Sequence, residues 1–237
     1  MRPSVVILCG GRGTRLQEHA QSIPKPLVEI GGRPILWHVI QIYVAQGFRR
    51  FLLLTGHLGD QVVGFVEREP WPEGVEIRCL DTGPDTPTGG RLHLAAAELR
   101  GSDFCLTYAD GVADVDLNAL LGFHYSHGAT ATMTVVRPAL QFGVADLGED
   151  GIVRGFVEKP RSEHWINGGF FCFRDSVFEV LERDSRLERE ALQRLAAGGG
   201  LRAYRHQGFW DCVDTYKDAV VLNDLWKSEG APWKLWN

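Results

Sequence analysis

Apolar residues along this chain fall into short runs that end at glycine-rich turns or alternate with amphipathic stretches. Residues 4–9 form an apolar run that stops at Gly10-Gly11, which predicts a buried strand. Within residues 34–46, Ile35, Leu36, Val39, Ile40, Tyr43 and Val44 recur at helical spacing and predict one buried face. Pro34 suits the first turn of that helix and Gly47 its C-terminal cap. Residues 51–55 then predict a strand, 59–67 a helix, 76–80 a strand, 91–99 an alanine-rich helix and 104–108 a strand. This alternation predicts an α/β fold with a Rossmann-like, mostly parallel sheet flanked by helices.

After residue 128 the pattern changes. Residues 130–137 and 142–147 predict strands, and Gly148-Glu149-Asp150-Gly151 predicts a hairpin turn into 152–157. Further strands are expected at 169–173 and 201–206, with helices near 175–183 and 188–197 and an amphipathic helix over 215–227. No linker or low-complexity stretch separates the halves. The expectation is one α/β domain over residues 1–237 with an appended mixed β region.

Composition narrows the class. With 44% hydrophobic and 23% charged residues, the chain is not globally disordered. No apolar run approaches the roughly 20 residues a bilayer span needs, and five apolar residues before the first turn are too few for a signal-peptide core. Cys9, Cys79, Cys105, Cys172 and Cys212 are scattered without a CxxC pair, so neither a disulfide framework nor a zinc ribbon is expected, and a reduced cytoplasmic setting is. The net charge of −5 argues against nucleic acid or membrane as a partner. Residues 1–33 nevertheless hold Arg2, Arg12, Arg15, Lys25 and Arg33 against only Glu18 and Glu29. A cationic mouth on an acidic body suits a small polyanion such as a nucleotide; scattered surface arginines explain the charge alone equally well.

The candidate chemistry lies at strand ends. Leu8-Cys9-Gly10-Gly11-Arg12-Gly13-Thr14-Arg15-Leu16 follows the first strand, where open α/β sheets bind ligands. Its glycines let backbone amides approach a phosphate, and Arg12 and Arg15 bring guanidinium forks. It is neither a dinucleotide fingerprint, which needs glycine where Leu16 stands, nor a Walker A loop. Lys25 lies between Pro24 and Pro26, either a rigidly aimed ammonium or a surface lysine on an extended connector. Thr86-Pro87-Thr88-Gly89-Gly90-Arg91 is a second glycine-rich turn, and common capping turns look similar. Asp110 ends the 104–108 strand after Tyr108-Ala109, with Asp114 and Asp116 close behind. Asp116 reads as a helix N-cap, and Asp214 reads either as the cap of the last helix or as a second late carboxylate. Glu158-Lys159-Pro160 and Asn167-Gly168-Gly169 offer a carboxylate, an ammonium and an amide suited to a sugar phosphate, or are ordinary strand ends. His124 and His127 lack a third ligand, and no hydrolase elbow is present.

Taken in order, Leu-x-Gly-Gly-x-Gly-Thr-Arg-Leu, Pro-Lys-Pro-Leu, Tyr-x-Asp-Gly, Glu-Lys-Pro and Asn-Gly-Gly resemble the sugar-1-phosphate nucleotidyltransferase family over nearly the whole chain. Thr88-Gly89-Gly90-Arg91-Leu92, Asp110-Gly111-Val112-Ala113-Asp114, Gly208-Phe209-Trp210 and Ala231-Pro232-Trp233-Lys234 are similar to its glucose-1-phosphate cytidylyl branch. The resemblance implies that an NTP, CTP first, and a sugar 1-phosphate, glucose 1-phosphate first, give an NDP-sugar and pyrophosphate, with Mg²⁺ as cofactor. It implies a nucleotide-binding core over residues 1–128 and a sugar-phosphate part with the C-terminal helix over 129–237. Arg15, Lys25 and Asp110 would be catalytic. Leu8, Gly10, Gly11, Arg12, Gly13, Thr14, Thr86, Thr88, Gly89, Gly90, Arg91 and Ala109 would hold the nucleotide with Arg15 and Lys25. Tyr108, Glu158, Lys159, Asn167 and Gly168 would hold the sugar phosphate, and Asp110 with Asp214 the metal. Cys9 stands where the family usually has alanine, Ala109 where the cytidylyl enzymes have glycine, and the segment between Gly64 and Asp81 is short, so assembly as a homo-oligomer does not carry over. The alternatives are another NTP and sugar pair (UTP, dTTP or GTP), a catalytically silent sugar-nucleotide sensor, or a nicotinamide oxidoreductase. Lys25, Asp110 and Asp214 together argue against the sensor, and Leu16 against the oxidoreductase.

Overall fold

The computed structural model describes residues 2–13, 22–228 and 230–236. The chain runs through β1 (Ser4–Leu8), a small hairpin of β2 (Glu29–Ile30) and β3 (Arg33–Pro34), α1 (Ile35–Ala45), β4 (Arg50–Thr55), α2 (Gly59–Arg68) and β5 (Glu76–Asp81). Next come α3 (Thr88–Leu94), α4 (Ala96–Leu99), β6 (Phe104–Tyr108), β7 (Gly111–Ala113), α5 (Leu117–Tyr125) and β8 (Ala131–Val136). The remainder is β9 (Val144–Leu147), β10 (Val153–Val157), β11 (Ile166–Phe173), α6 (Leu192–Ala197), β12 (Leu201–Arg205), β13 (Trp210–Cys212) and α7 (Tyr216–Lys227).

Seven strands form one sheet in the order β12-β8-β11-β6-β1-β4-β5. All run parallel except β11, which pairs antiparallel with both β6 and β8. The mixed β region expected after residue 128 therefore divides in two. β8, β11 and β12 complete the main sheet, while β9–β10 and β7–β13 form two separate two-stranded ribbons. Residues of β1 alternate between two apolar layers: Val5 and Ile7 belong to one and Val6 and Leu8 to the other. A strand buried on both faces reads as a continuous apolar run, which is why it was visible in the sequence.

Two helices depart from expectation. α1 is buried nearly all round, including His38 and Gln41, because Trp226, Trp233 and Trp236 pack against the same layer. His38 lies 2.8 Å from the Ile30 carbonyl through Nε2 and accepts from Trp233 Nε1 at 3.3 Å. Burial pushes its pKa down to about 4, so it is neutral. The alanine-rich helix begins early, at Thr88, and is divided at Ala95 into α3 and α4. Its first turn is held by a neighbouring segment: the Gly90 amide donates to Ser185 O at 3.0 Å.

Candidate active site

The C-terminal ends of β1 and β6 meet at one edge of the sheet and open into a cleft of about 430 Å³. Leu8, Gly10, Gly11 and Gly13 supply one wall, with Thr86 and Thr88 facing from the start of α3 and Tyr108, Ala109 and Asp110 from the end of β6. The glycine turn is braced from beneath. Arg91 is buried and donates to the carbonyls of Gly10 (2.8 Å), Thr55 (2.8 Å) and Gly83 (2.9 Å). A Cβ on Gly10 would fall 2.1 Å from Arg91 Nη1, so glycine is needed for the guanidinium to reach the turn.

Lys25 emerges from a single 3₁₀ turn, Lys25–Leu27, that starts after Pro24 and contains Pro26. Its ammonium reaches both Asp110 Oδ2 at 2.5 Å and Asp214 Oδ1 at 2.7 Å. The β7–β13 ribbon explains how residues so distant in sequence converge. Cys212 pairs with Gly111, and the Val213 amide donates to Asp110 O at 2.9 Å, which sets Asp214 beside Asp110. Asp214 is not the cap of α7. Thr215 takes that place in a reciprocal capping box with Asp218, leaving the Asp214 carboxylate for Lys25. Burial alone would lower the Lys25 pKa; the two carboxylates outweigh it and raise it, so the ammonium is charged.

The same carboxylates test the fit of a divalent metal. The described residues contain no cluster of three or more His, Cys, Asp or Glu side chains arranged to hold an ion. Mg²⁺ sites that act on nucleotides commonly use one or two carboxylates and take their remaining oxygens from phosphates and water. Two hard-oxygen groups converging on one cation at the cleft fit that donor set.

A third group was missed by the sequence reading. Glu188, on a π-helical turn at Leu187–Ala191, accepts from Tyr108 Oη at 2.6 Å and Thr88 Oγ1 at 2.7 Å. Asn167 Nδ2 donates to the same tyrosine oxygen at 3.2 Å. Burial, followed by the charge of Glu188, raises the Tyr108 pKa, so the phenol keeps its proton. Arg186 from the same segment also lines the cleft. Glu188 belongs to no motif, and its only sequence signal is a carboxylate in an otherwise amphipathic stretch.

Other expected residues take different places. Arg91 lines the cleft but commits its guanidinium to main-chain carbonyls, so it shapes the wall instead of offering donors to a base. Gly89 and Gly90 are buried against the segment after Glu182, where a Cβ would meet Ser185 Oγ at 2.6 Å and Arg183 O at 2.0 Å respectively. Their absent side chains serve packing. Arg12 pairs with Asp85 at 2.7 Å on the exposed rim. Glu158 and Lys159 are exposed at the end of β10 and are not among the residues lining the cleft, nor is Gly168, whose carbonyl accepts from Trp210 Nε1 at 2.7 Å. Thr14 and Arg15 lie outside the described residues. Asp116 caps α5 as expected, accepting from the amides of Asn118 and Ala119. No helix among the described residues is long and apolar enough to cross a membrane.

Comparison with known proteins finds relatives over nearly the whole chain. A family model described as nucleotidyl transferase matches residues 4–220. The chain is 40% identical to the probable glucose-1-phosphate cytidylyltransferase of Bacillus subtilis (strain 168), covering 98% of this chain and 99% of that protein. It is also 40% identical to the glucose-1-phosphate cytidylyltransferase of Salmonella typhi, covering 98% of each. Among solved structures, HddC from Yersinia pseudotuberculosis shares the fold, with a TM-score of 0.73 at 22% identity over 95% of this chain and 100% of that one.

Proposed function

The chain belongs to the nucleotidyl transferase family, and from that premise we propose that it joins CTP to glucose 1-phosphate, forming CDP-glucose and releasing pyrophosphate. The observation that carries the chemistry is the Lys25 ammonium held between Asp110 and Asp214 at the glycine-lined end of β1. The choice of nucleotide and sugar rests on the two relatives at 40% identity.

In this reaction an oxygen of the sugar phosphate attacks the α-phosphorus, the bond to the β-phosphate oxygen breaks, and its electron pair leaves on pyrophosphate. Positioning and charge neutralisation supply the catalysis, without a protein nucleophile. Cys9, which lines the cleft, is consistent with that: burial raises its thiol pKa, so it stays protonated. The backbone of Gly10, Gly11 and Gly13 follows the triphosphate, a task to which the family resemblance also assigns Thr14 and Arg15. The base lies against Leu8, Thr86, Thr88 and Ala109. Lys25 offsets the negative charge that gathers on the transferring phosphate. Asp110 and Asp214 are the residues that would hold a divalent metal, Mg²⁺ in this reading, whose contribution is positive charge on the phosphates and the departing pyrophosphate.

Tyr108, Asn167 and Glu188 form the sugar side, and Gly168, Glu158 and Lys159, which do not line the cleft, would join them from the start of β11 and the foot of the β9–β10 ribbon. Lys159 has φ of +48°, uncommon for a non-glycine residue and disfavoured before proline, and such outliers gather at ligand clamps. In this division residues 1–128 would supply most of the nucleotide part and 129–237 most of the sugar part of one domain, with Tyr108 reaching to the sugar side and Asp214 returning to the metal. A matrix of NTPs against sugar 1-phosphates, read by pyrophosphate release, tests the reading. CTP with glucose 1-phosphate should give the highest kcat/KM. Another pair winning by more than about tenfold, or ~1.4 kcal/mol, would move the specificity. No release with any pair would remove the enzymatic reading altogether.

A further inference from the structure

A second opening lies on the same edge of the sheet as the cleft, on the far side of the reversed strand β11. It forms where β8 ends, where β12 ends and where β11 begins, and encloses about 330 Å³. Arg137, Arg161, Trp165 and His206 line it, and Arg205 borders it through its contact with Trp165.

The charge here is unbalanced. The Arg137 guanidinium donates to the carbonyls of Ser162 (3.0 Å) and Glu163 (2.8 Å). That fixes its direction without neutralising it. Arg161 has one long hydrogen bond, 3.4 Å, to Gln207 O. The Arg205 guanidinium has no hydrogen-bond or ion-pair partner among the described residues, only the Trp165 ring 5.6 Å below its guanidinium carbon. Arg137 lies 5.4 Å from the same ring. Among the described residues, no carboxylate stands within ion-pair distance of any of the three, although carboxylates hold Arg33, Arg78, Arg154, Arg174 and Arg194 elsewhere. Asp114 Oδ1 lies 2.9 Å from His206 Nε2 on one side of the opening.

Three uncompensated guanidiniums around one concavity repel one another, and the chain as a whole carries excess acid that could have relieved them. Trp165 keeps Arg137 and Arg205 in place through cation–π contact, and His206 Nε2 lies 3.0 Å from the Phe209 carbonyl. Donors held in advance around one concavity suit the several oxygens of a phosphate, which guanidinium forks bind in bidentate fashion. We propose that this pocket is a second anion site that takes a compact phosphate-bearing ligand, either inorganic pyrophosphate or a sugar phosphate monoester.

Isothermal titration of the whole protein with inorganic pyrophosphate and, separately, with glucose 1-phosphate tests this. One of the two probes should occupy two sites on the wild type. The Arg137→Gln/Arg205→Gln variant should keep one and lose the other, or bind there at least about tenfold more weakly. Its turnover at low anion concentration and its melting temperature should not change. If Arg137→Gln loosens the 162–163 turn, Arg205→Gln alone, which breaks no hydrogen bond, should still show the loss. Loss with pyrophosphate assigns the site to that anion, and loss with glucose 1-phosphate assigns it to the monoester. Identical stoichiometry and affinity in wild type and both variants, for both probes, would overturn the proposal.

Discussion

The cleft and the β9–β10 ribbon are neighbours in the proposed reaction and opposites in construction. In the cleft, Lys25 is only 16% exposed and has two carboxylates, Tyr108 bonds to both Glu188 and Asn167, and Arg91 is tied to three carbonyls beneath the glycine turn. On the ribbon, Phe142 is 79% and Phe156 65% exposed, and Leu147, Ile152, Val153 and Val157 are also open to solvent. The contrast separates two tasks. Charge stabilisation during transfer demands groups that do not reorganise, and these sit on the sheet edge. The ribbon that presents Glu158 and Lys159 rests on few contacts of its own, as expected of an element that adapts to its ligand.

The largest effect is expected at Lys25. Lys25→Ala should lower kcat by about 10²–10³-fold with the fold retained, since it removes a preorganised charge from the transition state. A folded variant within threefold of wild type would return Lys25 to the surface. Arg91 comes next and should act on stability. Arg91→Ala orphans several buried carbonyls, a cost of about 3 kcal/mol, seen as a melting temperature lower by roughly 6–12 °C. Arg91→Lys should rescue little, because one ammonium cannot reproduce the fork. An unchanged melting curve would mean that the brace is dispensable.

Glu188→Gln should have a smaller effect, about tenfold in kcat/KM. Its division between substrates sharpens the contrast: a rise in KM for glucose 1-phosphate assigns Glu188 to the sugar side, and a rise for CTP alone assigns it to the nucleotide. The ribbon should respond least. Phe142→Ser or Phe156→Ser should change stability by no more than about 0.5 kcal/mol, because little burial is lost. A large loss would show that the ribbon is covered in solution and would break the contrast.

The N-terminal half was largely legible in the sequence because its signals are local. β1, β4, β5 and β6 are short apolar runs ending at turns, and Asp116 before its helix declares itself within a few residues, whereas Lys25 between two prolines reads equally as a surface lysine until Asp110 and Asp214 are seen beside it. What escaped depends on long-range register. Arg91 looks like a ligand-facing arginine because its partners are the carbonyls of residues 10, 55, 83 and 84 and the Thr82 hydroxyl, none of which marks an arginine brace in the sequence. Asp214 and Thr215 are both acceptable caps by sequence, and only the pairing of Cys212 with Gly111 decides that Asp214 turns toward Lys25. Glu188 reaches the cleft only because Gly89 and Gly90 let its segment approach α3. β8, β11 and β12 gave no sign that they would join the main sheet, since strand order is not a local property.

The account stands on Asp110 and Asp214 acting as one unit around a shared cation. The direct measurement is kcat/KM for Asp110→Asn, Asp214→Asn and the double variant across a Mg²⁺ titration, with melting curves alongside. If the carboxylates act together, each single change should remove most of the metal-dependent rate, and the double variant should be little worse than the poorer single. Near-wild-type activity in either single variant, or losses that simply multiply in the double, would contradict it.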